Sequence, residues 1–221
     1  MDILFYLLIL IIPVSAQLYV KGRYNKYKEI KSENNLSGFE VARRILDKNG
    51  LEKIHIVETS GNLSDHYDPR RKVIRLSHEV FHGESVSATA IAAHEVGHAI
   101  QDKTGYLFMK IRSIIFPIVS LGTNLSYIII FIGALTEMLN LIYLGIALVG
   151  LGLVFQLITL PVEYDASARA KKELDSLGLT SNNDAKGVEA VLSAAAMTYV
   201  AGVLASFLNM LRLLLIFGRR D

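Results

Sequence analysis

Two runs of 24 residues without a charged side chain, 113–136 and 138–161, follow one another with only Glu137 between them. At about 1.5 Å per residue each would reach roughly 36 Å as a helix, enough to cross a hydrocarbon layer about 30 Å thick. Buried helices of a soluble core are the competing reading, but uncharged runs of this length favour lipid. The short connection then makes the pair a tight antiparallel hairpin. Residues 3–20 (ILFYLLILIIPVSAQLYV) form another uncharged run. Val14-Ser15-Ala16 resembles a signal-peptide cleavage site, yet no Lys or Arg precedes the run, only Asp2, so a retained anchor is the expectation. The apolar stretch 188–217 reads as a fourth span or as an interfacial or re-entrant helix. Arg212 within it would snorkel or pair with a buried acid.

Hydrophobic residues make up 52% of the 221 residues while charged ones still reach 20%, so the apolar content is segregated into spans beside a polar lobe. A net charge of +2 and the abundance of Leu, Ile and Val exclude a disordered chain. With no Cys, disulfide scaffolds, Cys-ligated zinc, iron–sulfur clusters and thiol catalysis are excluded together. No aromatic-interleaved basic stripe is present, so nucleic acid is not an expected partner. The basic residues flank the spans: Lys21, Arg23, Lys26, Lys28 and Lys31 after the first, Lys110 and Arg112 before the hairpin, Arg169, Lys171 and Lys172 after it. By the positive-inside rule the polar lobe faces the cytoplasm of a multi-pass protein of the cell membrane.

The expected architecture is a mostly α membrane protein. A small α+β cytoplasmic lobe joins an N-terminal anchor helix, a transmembrane hairpin and a C-terminal apolar helix. It is one domain over 1–221, with spans near 3–20, 113–136, 138–161 and 190–217, and a lobe built from 21–112 plus 162–189. Ser37 as N-cap with Glu40 three residues on opens a helix that stops at Asn49-Gly50. Residues 54–57 (IHIV) read as a strand with His55 facing solvent, and SDHYDP around His66 as a polar turn. Residues 72–77 (KVIRLS) read as a half-exposed strand, a candidate edge for pairing with a substrate peptide. His78 and His82 would cap or solvate the start of the next helix, which begins near Ser85 or Ser87 and runs through Gln101.

That helix contains His94-Glu95-Val96-Gly97-His98. Histidines at i and i+4 stand one above the other on a helix, a spacing suited to joint coordination of Zn²⁺. Glu95 lies beside that face and suits a general base acting on water. Chance gives such a pattern in roughly one chain in a hundred of this composition. The neighbours Ala92, Ala93, Gly97 and Ala99 permit close packing around a metal. A third ligand must be His, Asp or Glu, and topology points to Glu163: an antiparallel hairpin returns the chain to the same membrane face two residues before it. Asp165, about 200° round that helix, would face away.

H-E-V-G-H followed by a membrane hairpin and then E-Y-D-A-S resembles the YugP-type, membrane-embedded neutral zinc metallopeptidases of bacteria. The resemblance extends to 63–69 (LSDHYDP), 160–163 (LPVE) and 195–201 (AAMTYVA), and covers essentially the whole chain. A more distant likeness is to the gluzincin-type HtpX and CAAX prenyl proteases. There the Glu of an E-[FY]-x-A-D segment is the third zinc ligand, which implies that role for Glu163. Ser167 stands where that group has Asp, which puts in question how the ligand histidine is oriented. The resemblance implies a zincin-like lobe, a zinc cofactor, protein or peptide substrates and endopeptidase activity. His66, Tyr164 and Tyr199 are candidates for an oxyanion donor or substrate contact. A non-proteolytic scaffold with a structural zinc is the rival reading. A transporter of metal is a weaker one, because the spans show few polar side chains.

Overall fold

The computed structural model describes residues 2–218 and is mostly helical. Arg219 and Arg220, which bear on the orientation of the last span, lie outside the described residues, as does the side chain of Asp2. The chain divides into two compact units. One draws on the chain up to Gln17, on Leu107–Pro161 and on the chain from Thr198; the other on Leu18–Tyr106 and Val162–Met197.

Among the described residues, four helices are long and apolar enough to cross a membrane: α1 (Asp2–Lys28), α5 (Leu107–Leu135), α6 (Leu139–Ser176) and α7 (Asn182–Phe217). The 188–217 stretch belongs to one unbroken helix. In the apolar unit α5 and α6 form the expected hairpin. Glu137 closes it at φ 57°, a left-handed conformation in which Met138 N–H reaches the Gly133 carbonyl across 2.9 Å. Small residues let the two helices touch. A Cβ at Gly145 would lie 2.4 Å from the Ile130 side chain, and one at Gly152 would lie 2.9 Å from Thr123. This is the close backbone approach that membrane helices use in place of hydrophobic drive.

Arg212 stacks over the Tyr6 ring, 4.2 Å from its centroid, and donates to Asn209 Oδ1 at 3.1 Å. The spans are also more polar than their hydropathy suggests. A cavity of about 740 Å³ in this unit is lined by Thr123, Gln156, Thr159, Tyr199 and Asn209 among others. Four of these groups find partners within the unit: Thr123 and Thr159 bond carbonyls one turn back, while Gln156 reaches Ser206 and Asn209 reaches Tyr127 on other helices.

The second unit holds α2 (Gly38–Lys48), β1 (His55–Thr59), β2 (His66–Asp68), β3 (Val73–Ser77), α3 (His78–His82) and α4 (Val86–Thr104). Helix α2 carries the expected capping box between Ser37 and Glu40. The sheet order is β1-β3-β2, with β1 parallel and β2 antiparallel to β3. The 72–77 strand is thus central rather than an edge, and within β3 every residue but Arg75 is buried. Its alternation misleads because Lys72 and Arg75 are drawn to Asp102 and Asp68. The SDHYDP turn is instead strand β2, pairing His66 with Arg75 and Asp68 with Val73. His55 is exposed on β1, as expected. Around α4 gather Val41, Ile45, Leu46, Ile74, Leu76 and Val80, all at 1% exposure or less.

Candidate metal centre

Helix α4 starts at Ser85, whose side chain accepts from Ala88 N–H, and stops at Gly105 in a left-handed conformation (φ 66°). Fourteen of its nineteen residues are buried, including Glu95 and His98. A helix covered on every side cannot be an amphipathic surface helix with two incidental histidines. Gly97 lets α6 approach: a Cβ there would sit 2.4 Å from the Ala166 carbonyl oxygen. That contact brings Glu163, 2% exposed, against the histidine pair.

Three ligand-type atoms converge. His94 Nε2 lies 3.2 Å and His98 Nε2 3.4 Å from Glu163 Oε2, and the two rings stand 4.7 Å apart at 84°. Ligands about 2.0–2.1 Å from a tetrahedral zinc lie about 3.3–3.4 Å from one another, so the spacing fits.

The surrounding hydrogen bonds decide which way the imidazoles face. Gln101 donates its amide to the Val162 carbonyl at 2.7 Å and to Asp165 Oδ2 at 2.8 Å. Its oxygen, 3.0 Å from His98 Nδ1, is therefore the acceptor, and the His98 hydrogen sits on Nδ1. The Nε2 lone pair then points at the Glu163 carboxylate. Two acceptors facing each other at this distance would be satisfied by a cation between them. Arg169 completes the chain by donating to Asp165 at 2.6 Å. His94 Nδ1 contacts Ser167 Oγ at 3.2 Å, so the serine takes the place of the expected carboxylate beside that ring.

Glu95 is 7% exposed. Burial is the main cause that pushes its pKa up to about 7; Glu163 and Asp65 add to the rise, while His94 and the Tyr67 backbone N–H oppose it. Asp65 accepts from Ser77 N–H at 2.7 Å, which fastens the start of β2 to the end of β3. Tyr67 in turn donates to Asp102 on α4 at 2.7 Å.

The remaining sequence-derived candidates are scattered. His66 is exposed on β2 with Nδ1 2.8 Å from the Ser64 carbonyl. Tyr164 is half exposed and lines a separate cavity of about 650 Å³ with Ser167, Leu192 and Met197. Tyr199 belongs to the apolar unit. Asp165 accepts from Gln101, whose side-chain oxygen contacts His98 Nδ1. Gln101 sits three residues after His98, one turn along the same face, but its bond to Asp165 joins two helices and leaves no local signal in the sequence. His78 and His82 form α3 and both rings contact Glu58, rather than capping α4.

Two imidazoles and a carboxylate around one point, beside a buried glutamate, make up the donor set of a metal-dependent hydrolase. The family model described as "putative neutral zinc metallopeptidase" matches residues 2–218. The chain belongs to that family. It is also 46% identical over 202 residues to the "putative membrane protease YugP" of Bacillus subtilis (strain 168), an alignment covering 91% of this chain and 90% of that protein. No solved structure matches.

Proposed function

We propose that the chain is a gluzincin-type zinc endopeptidase of the cytoplasmic membrane, its lobe facing the cytoplasm. The observation that supports it most is the convergence of His94, His98 and Glu163 next to a buried Glu95. His94 and His98 would hold zinc through Nε2, with Glu163 as third ligand. Such an ion supplies Lewis-acid chemistry, lowering the pKa of water and polarising a carbonyl oxygen. Glu95 takes a proton from the attacking water and returns it to the leaving amine. Gln101 and Ser167 keep the two imidazoles in place, and the apolar wall of α4 limits water around Glu95. His66 and Tyr164, both solvent-facing, are the candidates to meet the carbonyl oxygen of the substrate.

Glu163 follows the uncharged run by two residues, so the substrates are membrane proteins or membrane-proximal segments. The detergent-purified chain is expected to cleave a membrane-anchored reporter faster than soluble casein. Cleavage should stop in His94→Ala. Equal rates on both substrates would contradict the substrate class, and undiminished cleavage by His94→Ala the site. The absence of native Cys permits a direct topology test. Glu137→Cys should be labelled from outside intact cells and Lys53→Cys only after permeabilisation, and the reverse pattern would overturn the orientation.

A further inference from the structure

A second group of ligand-type side chains lies in the same unit. Strand β1 pairs in parallel with β3, placing Glu58 opposite Leu76 and Thr59 opposite Ser77. Helix α3 starts at the next residue, so the sheet register itself sets Glu58 beside that helix. His78 and His82, at i and i+4, share one face of α3 with ring centroids 4.8 Å apart. Glu58 reaches both: Oε1 lies 2.7 Å from His78 Nδ1 and Oε2 3.0 Å from His82 Nε2. Its three ligand-type atoms all fall within 4.8 Å of one another.

We infer that Glu58, His78 and His82 form a second, solvent-facing site for a first-row divalent transition-metal ion. Two imidazole nitrogens and one carboxylate suit zinc, cobalt, nickel or copper, while magnesium and calcium prefer all-oxygen shells. The scaffold is already fixed. A Cβ at Gly38 would lie 2.2 Å from the Val80 carbonyl, so α2 packs directly on α3, and Val80 is 1% exposed. An ion therefore finds two of its ligands on one rigid turn and meets the third across the sheet edge. The rings are 74% and 56% exposed, which leaves the remaining coordination positions to water or to a donor from another molecule. The site would tie β1 to the segment that runs through Gly83 into the N-cap of α4, and it stands apart from the proposed chemistry.

The test is zinc stoichiometry by equilibrium dialysis of the untagged, metal-stripped, full-length chain in detergent. Wild type is expected to bind two equivalents, His78→Ala/His82→Ala one, and His94→Ala/His98→Ala one. Glu58→Gln, which keeps the shape of an exposed residue, should also lose or weaken one equivalent. The same stoichiometry in wild type and His78→Ala/His82→Ala would overturn the inference. A single wild-type equivalent that disappears with His78 and His82 would uphold it and instead count against zinc at His94, His98 and Glu163.

Discussion

The two clusters of this unit use the same side chains, a His pair at i and i+4 on a helix and a Glu from another element, yet they sit in opposite surroundings. In the α4 cluster the carboxylate is 2% exposed and both Nδ1 atoms have side-chain partners. In the α3 cluster all three residues are exposed, and Glu58 itself is what the rings contact. Under the two proposals, ligand type and spacing would not separate the catalytic centre from the surface metal site; burial, tautomer control and an additional carboxylate such as Glu95, not needed as a ligand, would.

The comparison is sharpened most by the metal-free protein. Glu95 has a pKa of about 7 in the fold against an ordinary 4.5, so its ionised form is disfavoured by folding. That penalty is fully present above pH 7, fades as pH falls and is gone below the ordinary value; the shift corresponds to about 3 kcal/mol. Metal-free Glu95→Gln should accordingly melt higher than metal-free wild type at pH 8, with the gap narrowing towards pH 5. Glu58→Gln should leave the melting temperature unmoved at either pH. An equal response of both would erase the distinction drawn from burial.

Packing gives the next effect. Gly97→Ala places a methyl against the Ala166 carbonyl and must push α6 from α4, at a cost of about 1–3 kcal/mol by thermal or denaturant unfolding. Zinc affinity at the α4 cluster should fall with it while the α3 cluster keeps its own. A variant as stable as wild type would show that the helices do not depend on this contact. Gln101→Leu preserves volume but frees the His98 ring, and a loss of roughly 10–100-fold in zinc affinity is expected by competition with a chelator. Ser167→Ala, removing a weaker contact to His94, should cost less than Gln101→Leu. An effect of Ser167→Ala exceeding that of Gln101→Leu would reverse the ranking of the two supports.

The readable parts of this molecule are those where one local signal dominates. Uncharged length marked the hairpin, Ser37 and Glu40 marked α2, and the i, i+4 histidines marked the face of α4. Glu163 was reachable because a hairpin constrains where the chain returns. What was not legible depends on contacts between elements. His66-Tyr67-Asp68 sits among turn-forming residues and becomes a strand only because β3 offers a partner. Lys72 and Arg75 suggested an exposed strand, since nothing local reveals the acids that receive them. A five-residue helix such as α3 is too short to show a period. A helical-wheel argument on one helix treats Asp165 alone and cannot see the Gln101 that donates to it from another.

The proposed function rests on one division of labour, in which Glu163 would hold the ion and Glu95 would move the proton. The direct test measures zinc content and casein cleavage together in the His78→Ala/His82→Ala background, where only the α4 cluster remains to bind. The account predicts one zinc per chain in that parent, one zinc with cleavage reduced about a thousandfold on adding Glu95→Gln, and weakened or lost zinc on adding Glu163→Ala. Unreduced cleavage after Glu95→Gln, or zinc held as tightly after Glu163→Ala, would contradict it.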